Sequence, residues 1–212
     1  MRIGVRESIV KFWKRWFPKK EKVKIIIDGE NLYWCLRNDL GGLKITNYKE
    51  FARRLASGQK FKAIYYTSVD QTNPGKSSRF LKSLAEQGYE VRTKPLVFVG
   101  GKPKSEIDTL MAVGICHCAI DDDVDTVVIG SGDGHFADAA EYVKEEGKKV
   151  RVVSTESSLS EELRKASDEW IDLVTIIRDI SRRTKTGKKV DQALLILRGG
   201  GVVTLPGLER KI

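Results

Sequence analysis

Apolar and polar positions along this chain follow two rhythms. Short runs of Ile and Val stop at Gly or Asp, and longer stretches between them repeat with helical spacing. Val23–Asp28 (VKIIID), Phe61–Thr67 (FKAIYYT), Tyr89–Arg92 with Leu96–Val99, Val124–Ile129 and Lys149–Val153 read as strands. Nearly continuous Val/Ile runs of this length mark parallel strands covered on both faces. Helices are predicted from Asn31 onward and over Asn47–Ala56, Ser77–Gln87, Glu106–Ile120, Phe136–Glu146, Leu159–Ala166 and Leu173–Ser181. Asn47 supplies a cap, and Gly88 and Gly147 supply stops. Trp170–Asp172 is a short extended piece, while Ser68–Lys76 and Gly100–Lys104 read as loops. Strands alternating with helices imply a parallel sheet with helices on both faces.

The two ends depart from this rhythm. In residues 1–22, Val5, Ile9, Phe12, Trp13 and Trp16 make one helical stripe, Arg6, Lys11, Lys14 and Arg15 fill the other side, and Pro18 ends the run. Such a helix suits its own domain, a membrane interface, a nucleic acid or a partner helix. At the other end, 182–212, Val190–Arg198 reads as a helix, Gly199–Gly201 as a hinge and Val202–Leu205 as a short strand. The expected organisation is a basic amphipathic helix over 1–22, an α/β domain over 23–181 and a basic extension over 182–212.

Charge sharpens this division. The chain of 212 residues carries a net charge of +9. Residues 1–24 hold nine basic and two acidic groups, residues 182–212 hold eight and two, and the body between has a net charge of −4. Basic ends on a mildly acidic body attract polyanions without reading sequence. No apolar run approaches a membrane span, and no secretory pattern follows the basic start. Three cysteines, Cys35, Cys116 and Cys118, make no disulfide framework, so a cytoplasmic setting is expected. Cys116-His117-Cys118 lies within a predicted helix, where neighbours diverge, and lacks a second ligand pair for zinc.

The chemistry gathers at strand exits. Val23–Asp28 ends in Asp28-Gly29-Glu30-Asn31, and the run Val127–Phe136 (VVIGSGDGHF) ends in a small-residue turn carrying Asp133. In open α/β sheets, ligands bind beyond the carboxyl ends of strands where the strand order reverses. If the two strands are neighbours, Asp28 and Asp133 face one cleft. Asp108, early in the helix after the third strand, can reach the same edge, and Glu30 is a further candidate. Converging carboxylates without cation partners repel one another, and a hard divalent ion relieves that repulsion. Ser131 would hold a ligand carboxylate from behind. His135 reads as a softer ligand, a proton donor or a surface residue.

In order, IIIDGENL, YYTSVDQTNPGKSSRFLKSLAEQGYEV, KPKSEIDTLMAVG and VVIGSGDGHF resemble the NYN domain, the LabA-like branch of the PIN-like nuclease superfamily. The resemblance covers about residues 23–175 and implies a three-layer α/β/α fold with parallel strand order 3-2-1-4-5. It implies Mg²⁺- or Mn²⁺-dependent ribonuclease activity, with Asp28, Asn31, Asp108 and Asp133 at the family's catalytic positions and Lys104 at its motif lysine. Asp28, Asp108 and Asp133 would hold the metal, with Glu30 and His135 as additional candidates. Two positions depart from the pattern: His135 replaces a second Asp, and Gly114 stands where many members have a further Asp. The expected substrate is single-stranded RNA, gripped by Lys102, Lys104, Lys76, Arg15 and Lys14. A homodimer, and membrane-surface contact by the first helix, are further expectations. One alternative is a weak or inactive RNA-binding or assembly module. Another is a haloacid-dehalogenase-like phosphatase, which would leave Asn31 and Asp108 unused.

Overall fold

The computed structural model describes residues 21–72, 74–100 and 102–182. Residues 1–20, including Lys14 and Arg15, lie outside the described residues, as do the elements predicted at Val190–Arg198 and Val202–Leu205. Among the described residues, no helix is long and apolar enough to cross a membrane.

Five parallel strands form the middle of one sheet: β1 (Lys22–Asp28), β2 (Lys60–Asp70), β3 (Tyr89–Val99), β5 (Thr126–Gly130) and β6 (Lys149–Ser154). Their spatial order is β3-β2-β1-β5-β6. Two short strands extend the edges. β4 (Lys102–Lys104) pairs antiparallel with the end of β3, and β7 (Glu169–Asp172) pairs parallel with β6. The six parallel strands and the order 3-2-1-4-5 for the principal five agree with the expected arrangement. The fold is a three-layer α/β/α sandwich of the PIN-like type.

Burial explains the layers. β5 is buried along its whole length, and Ile25–Ile27 of β1 are buried on both sheet faces. One face packs against α1 (Gly29–Trp34), α2 (Tyr48–Leu55), α3 (Pro74–Glu86) and α7 (Leu173–Arg182), through Leu32, Phe51, Leu55, Leu84 and Ile176. The other packs against α4 (Ile107–Ala119), α5 (Ala137–Glu145) and α6 (Glu161–Ala166), through Met111, Ile115, Ala140 and Leu163. Asn47 and Ser160 cap α2 and α6 with side-chain oxygens, which satisfies helix N–H groups that have no intrahelical partner.

The structure corrects several boundaries. β2 runs on to Asp70 and α3 starts at Pro74, where one loop over Ser68–Lys76 was expected. Proline at a helix start loses no intrahelical hydrogen bond. β3 is one strand through Pro95, because β4 pairs only from Val97 onward and the missing N–H falls on an open edge. Lys102-Pro103-Lys104 is a strand of that hairpin rather than a free loop. Trp170–Asp172 belongs to a true sheet strand.

One departure has a packing cause. A Cβ at Gly114 would overlap the hydroxyl of buried Tyr66, which accepts a 3.0 Å hydrogen bond from Arg92. Gly114 therefore lets α4 approach the sheet where a carboxylate side chain has no room. Gly114→Ala should lower stability by about 1–3 kcal/mol. The loss should shrink in a Tyr66→Phe background, because the two residues share one space. Denaturant unfolding of the four proteins checks this; strictly additive losses would contradict it.

Candidate active site at the β1/β5 edge

Parallel pairing places β1 between β2 and β5, with Asp28 beside Tyr66 and Ile27 beside Gly130. Asp28 and Ser131 therefore leave the sheet at the same level. Asp28 is only 6% exposed. Its Oδ1 accepts from the backbone N–H groups of Glu30 (3.1 Å) and Asn31 (3.0 Å), and its Oδ2 accepts from the Ser131 hydroxyl (3.0 Å). Burial pushes its pKa up to about 6, against the opposing pull of these hydrogen bonds, and the charges of Asp108 and Glu30 push the same way.

The turn after β5 is locked onto the same group. Ser131 Oγ accepts from the N–H of Asp133 (3.2 Å), and Asn31 Oδ1 accepts from the N–H of Gly132 (3.1 Å). Gly132 also touches the loop after β6: its carbonyl accepts from Ser160 N–H at 2.8 Å, and a Cβ there would overlap the Ser158 carbonyl. Asn31 thus acts first as a brace between α1 and the β5 turn.

Asp133 caps the single 3-10 turn Gly134–Phe136, its Oδ1 accepting from the N–H of His135 at 2.9 Å. The His135 ring bends back so that Nδ1 lies 2.8 Å from the same oxygen, while 85% of the side chain stays exposed. Asp108 sits in the first turn of α4. Burial raises its pKa, as do the charges of Asp133 and Glu30, whereas His135 lowers it. Asp108 thus lies within Coulombic range of Asp28, Glu30 and Asp133, and Asp28 within that of Glu30. Glu30 crosses to the β2 exit, where its carboxylate accepts from Ser68 N–H at 3.2 Å. Ser68 and Ser105 share a 2.6 Å hydrogen bond, and Ser105 accepts from Ile107 N–H, tying the start of α4 to β2.

Among the described residues, no three His, Cys, Asp or Glu side chains converge tightly enough to form a ready cage for a metal ion. Asp28 and Asp108 instead feel their acidic neighbours at Coulombic range. Their donors are all oxygens, the set that suits Mg²⁺ or Mn²⁺, and Mg²⁺ commonly takes one or two carboxylates and completes its shell with water and phosphate. In donor chemistry, though not in a preformed cage, the carboxylates suit such an ion. Of the basic side chains expected to grip RNA, Lys76, Lys102 and Lys104 have their backbone in α3 and β4.

The wall after β6 was not anticipated from sequence. Cys35 Sγ lies 3.1 Å from Ser158 Oγ, Thr155 hydrogen-bonds Asp39, and Thr155 Oγ1 lies 2.8 Å from Ser158 Oγ. The polar residues within Ser154–Ser160, directly after a strand bordering β5, are the signal that could have found it.

The NYN domain family model matches residues 22–176. Low amplitude and bright protein LabA of Synechococcus elongatus is 27% identical over 165 residues, which span 73% of this chain and 85% of that protein. The crystal structure of VPA0982 from Vibrio parahaemolyticus, described as a protein of unknown function, aligns with a TM-score of 0.63 and 26% identity, covering 74% of this chain and 95% of that one.

Asp28 holds more protons folded than unfolded between its ordinary carboxylate pKa and about 6. The metal-free protein should therefore lose stability as pH rises through that window, by on the order of 3 kcal/mol from this group. Asp28→Asn should flatten the dependence and raise Tm at pH 7. Thermal melts from pH 4 to 7 in EDTA measure it; parallel curves for the two proteins would show that Asp28 carries no such cost.

Proposed function

Because this chain belongs to the NYN domain family, we propose that it is a divalent-metal-dependent ribonuclease that cuts single-stranded RNA at the β1/β5 edge. The observation that carries the reading is the buried Asp28, raised to about 6 and coupled to two further carboxylates at a strand-order reversal.

Each side chain then has a task. Asp28, Asp108 and Asp133 hold the ion, Mg²⁺ or Mn²⁺, and Glu30 adds negative charge from the β2 side. When bound, such an ion lowers the pKa of a water and offsets charge on the phosphate. Ser131 fixes Asp28 by donating to Oδ2 and fixes Asp133 by accepting its N–H. Asn31, braced against Gly132, keeps the two acidic turns at a fixed separation, and its amide nitrogen orients the scissile phosphate. Lys76, Lys102 and Lys104, together with Lys14 and Arg15, supply cations for the RNA backbone.

A phosphatase that uses Asp28 as nucleophile fits poorly. Glu30, the position for a general acid, is engaged by Ser68 N–H, and Asn31 and Asp108 would have no part in that chemistry. The pairing of His135 with Asp133 favours a weakened enzyme as the second reading. A ring nitrogen 2.8 Å from Asp133 Oδ1 competes with a metal for the same oxygen.

Cleavage of a labelled single-stranded RNA with Mn²⁺, Mg²⁺ or EDTA tests the proposal. The wild type should cut only with metal, and Asp133→Asn should cut at least about a hundredfold more slowly, since an ion site supplies several kcal/mol of transition-state stabilisation. Cutting at the wild-type rate by the variant would remove Asp133 from the site. RNA retention without cutting by either protein would favour the binding module. His135→Asp, which restores the family carboxylate, should raise the rate at limiting Mn²⁺; an unchanged or lower rate would show that His135 does not limit metal binding.

A further inference from the structure

Helix α1 runs on into a π-helical turn, Cys35–Asp39, and the two together have two faces. Leu32, Cys35 and Leu36 are buried, whereas Tyr33, Trp34 and Arg37 are exposed. Single exposed aromatics are common and need no explanation. Here two adjacent ones, 51% and 52% exposed, meet edge to face with ring centroids 5.2 Å apart. Arg37 holds them: its guanidinium lies 5.9 Å from the Tyr33 ring centre and 5.6 Å from that of Trp34, and it donates a 2.7 Å hydrogen bond to the Tyr33 hydroxyl. Among the described residues Arg37 makes no ion pair, so its charge remains available.

Position gives this cluster its meaning. Trp34 follows Asn31 by three residues and Glu30 by four, and Tyr33 follows Glu30 by three. Residues at these spacings share a helix face one turn apart, and helical side chains lean toward the N-terminus. The aromatic pair therefore lies one helical turn from Glu30 and Asn31. A flat π surface beside a cation suits an unpaired nucleobase with its phosphate.

We propose that Tyr33, Trp34 and Arg37 form a stacking platform for an unpaired RNA base next to the bond held in the carboxylate cleft. The inference rests on the ribonuclease reading only for the identity of that cleft. Trp34 provides the stacking face, Tyr33 fixes its orientation, and Arg37 meets the phosphate beside the stacked base. The carboxylates alone do not distinguish one polyanion from another, whereas the platform selects strands whose bases are free to splay out. Duplex RNA, with its bases paired and stacked, cannot use it.

The test compares full-length wild type, Trp34→Leu and Trp34→Phe in EDTA, where cutting stops. Two labelled probes of equal length are used: oligouridine and a base-free ribose-phosphate strand. Wild type should bind oligouridine about 5- to 100-fold more tightly than the base-free strand, the range expected for stacking one base on an aromatic ring. Trp34→Leu should lose most of that preference while binding the base-free strand as wild type does, and Trp34→Phe should keep it. Thermal melts of each variant verify folding. Equal weakening on both probes, or no preference in the wild type, would overturn the platform. Unchanged RNA binding by Trp34→Leu would also overturn it. These results separate from the ribonuclease reading. A base preference in a protein that never cuts leaves the platform standing without the enzyme, and normal cutting with no effect of Trp34→Leu does the reverse.

Discussion

Burial opposes the charge of Asp28, and the protein surrounds that carboxylate with donors rather than with a cation. Two N–H groups of α1 and the hydroxyl of Ser131 hold its two oxygens. The bond to Ser131 crosses from β1 to β5, so it exists only because these strands are parallel neighbours in register. The same hydroxyl accepts from Asp133, and Asn31 closes the loop through Gly132. One buried carboxylate thereby fixes the first turn of α1, the turn after β5 and the placing of a second carboxylate.

The rest of the cleft follows from this constraint. Asp28 remains poorly satisfied as an anion, and Asp108 is pushed in the same direction by burial and by its acidic neighbours. A site that stores like-charge repulsion in a fixed frame gains most from a cation placed among the carboxylates. His135 moderates the repulsion from the rim, through one oxygen of Asp133, without entering the frame. Gly114 shows a different accommodation, with Tyr66 and Arg92 occupying the space that a longer side chain would need.

Much of this was legible in the sequence. The Val/Ile runs announced parallel strands, and the small-residue turns after Asp28 and Ser131 announced the edge where ligands collect. Strand adjacency was not contained in periodicity; it came from the resemblance of the ordered motifs. Local signals failed where tertiary context decided. Pro95 reads as a break, yet it stays in β3 because its missing N–H falls on an open edge. Lys102–Lys104 reads as a loop because three residues carry too little pattern to announce a hairpin strand. The bend of His135 back onto Asp133 depends on the 3-10 turn between them, and no residue pattern encoded it. The outward placing of Tyr33 and Trp34 follows only once Leu32, Cys35 and Leu36 take the inner face.

The most direct measurement is calorimetric titration of Mn²⁺ into the metal-free protein at pH 6, repeated in two buffers of different ionisation enthalpy. If Asp28 with its raised pKa is a ligand, binding should release protons, the apparent enthalpy should differ between the buffers, and Asp28→Asn should abolish the difference. Mn²⁺ binding with the same enthalpy in both buffers and unchanged by Asp28→Asn, or no binding at all, would contradict the account of the cleft as a carboxylate cation site.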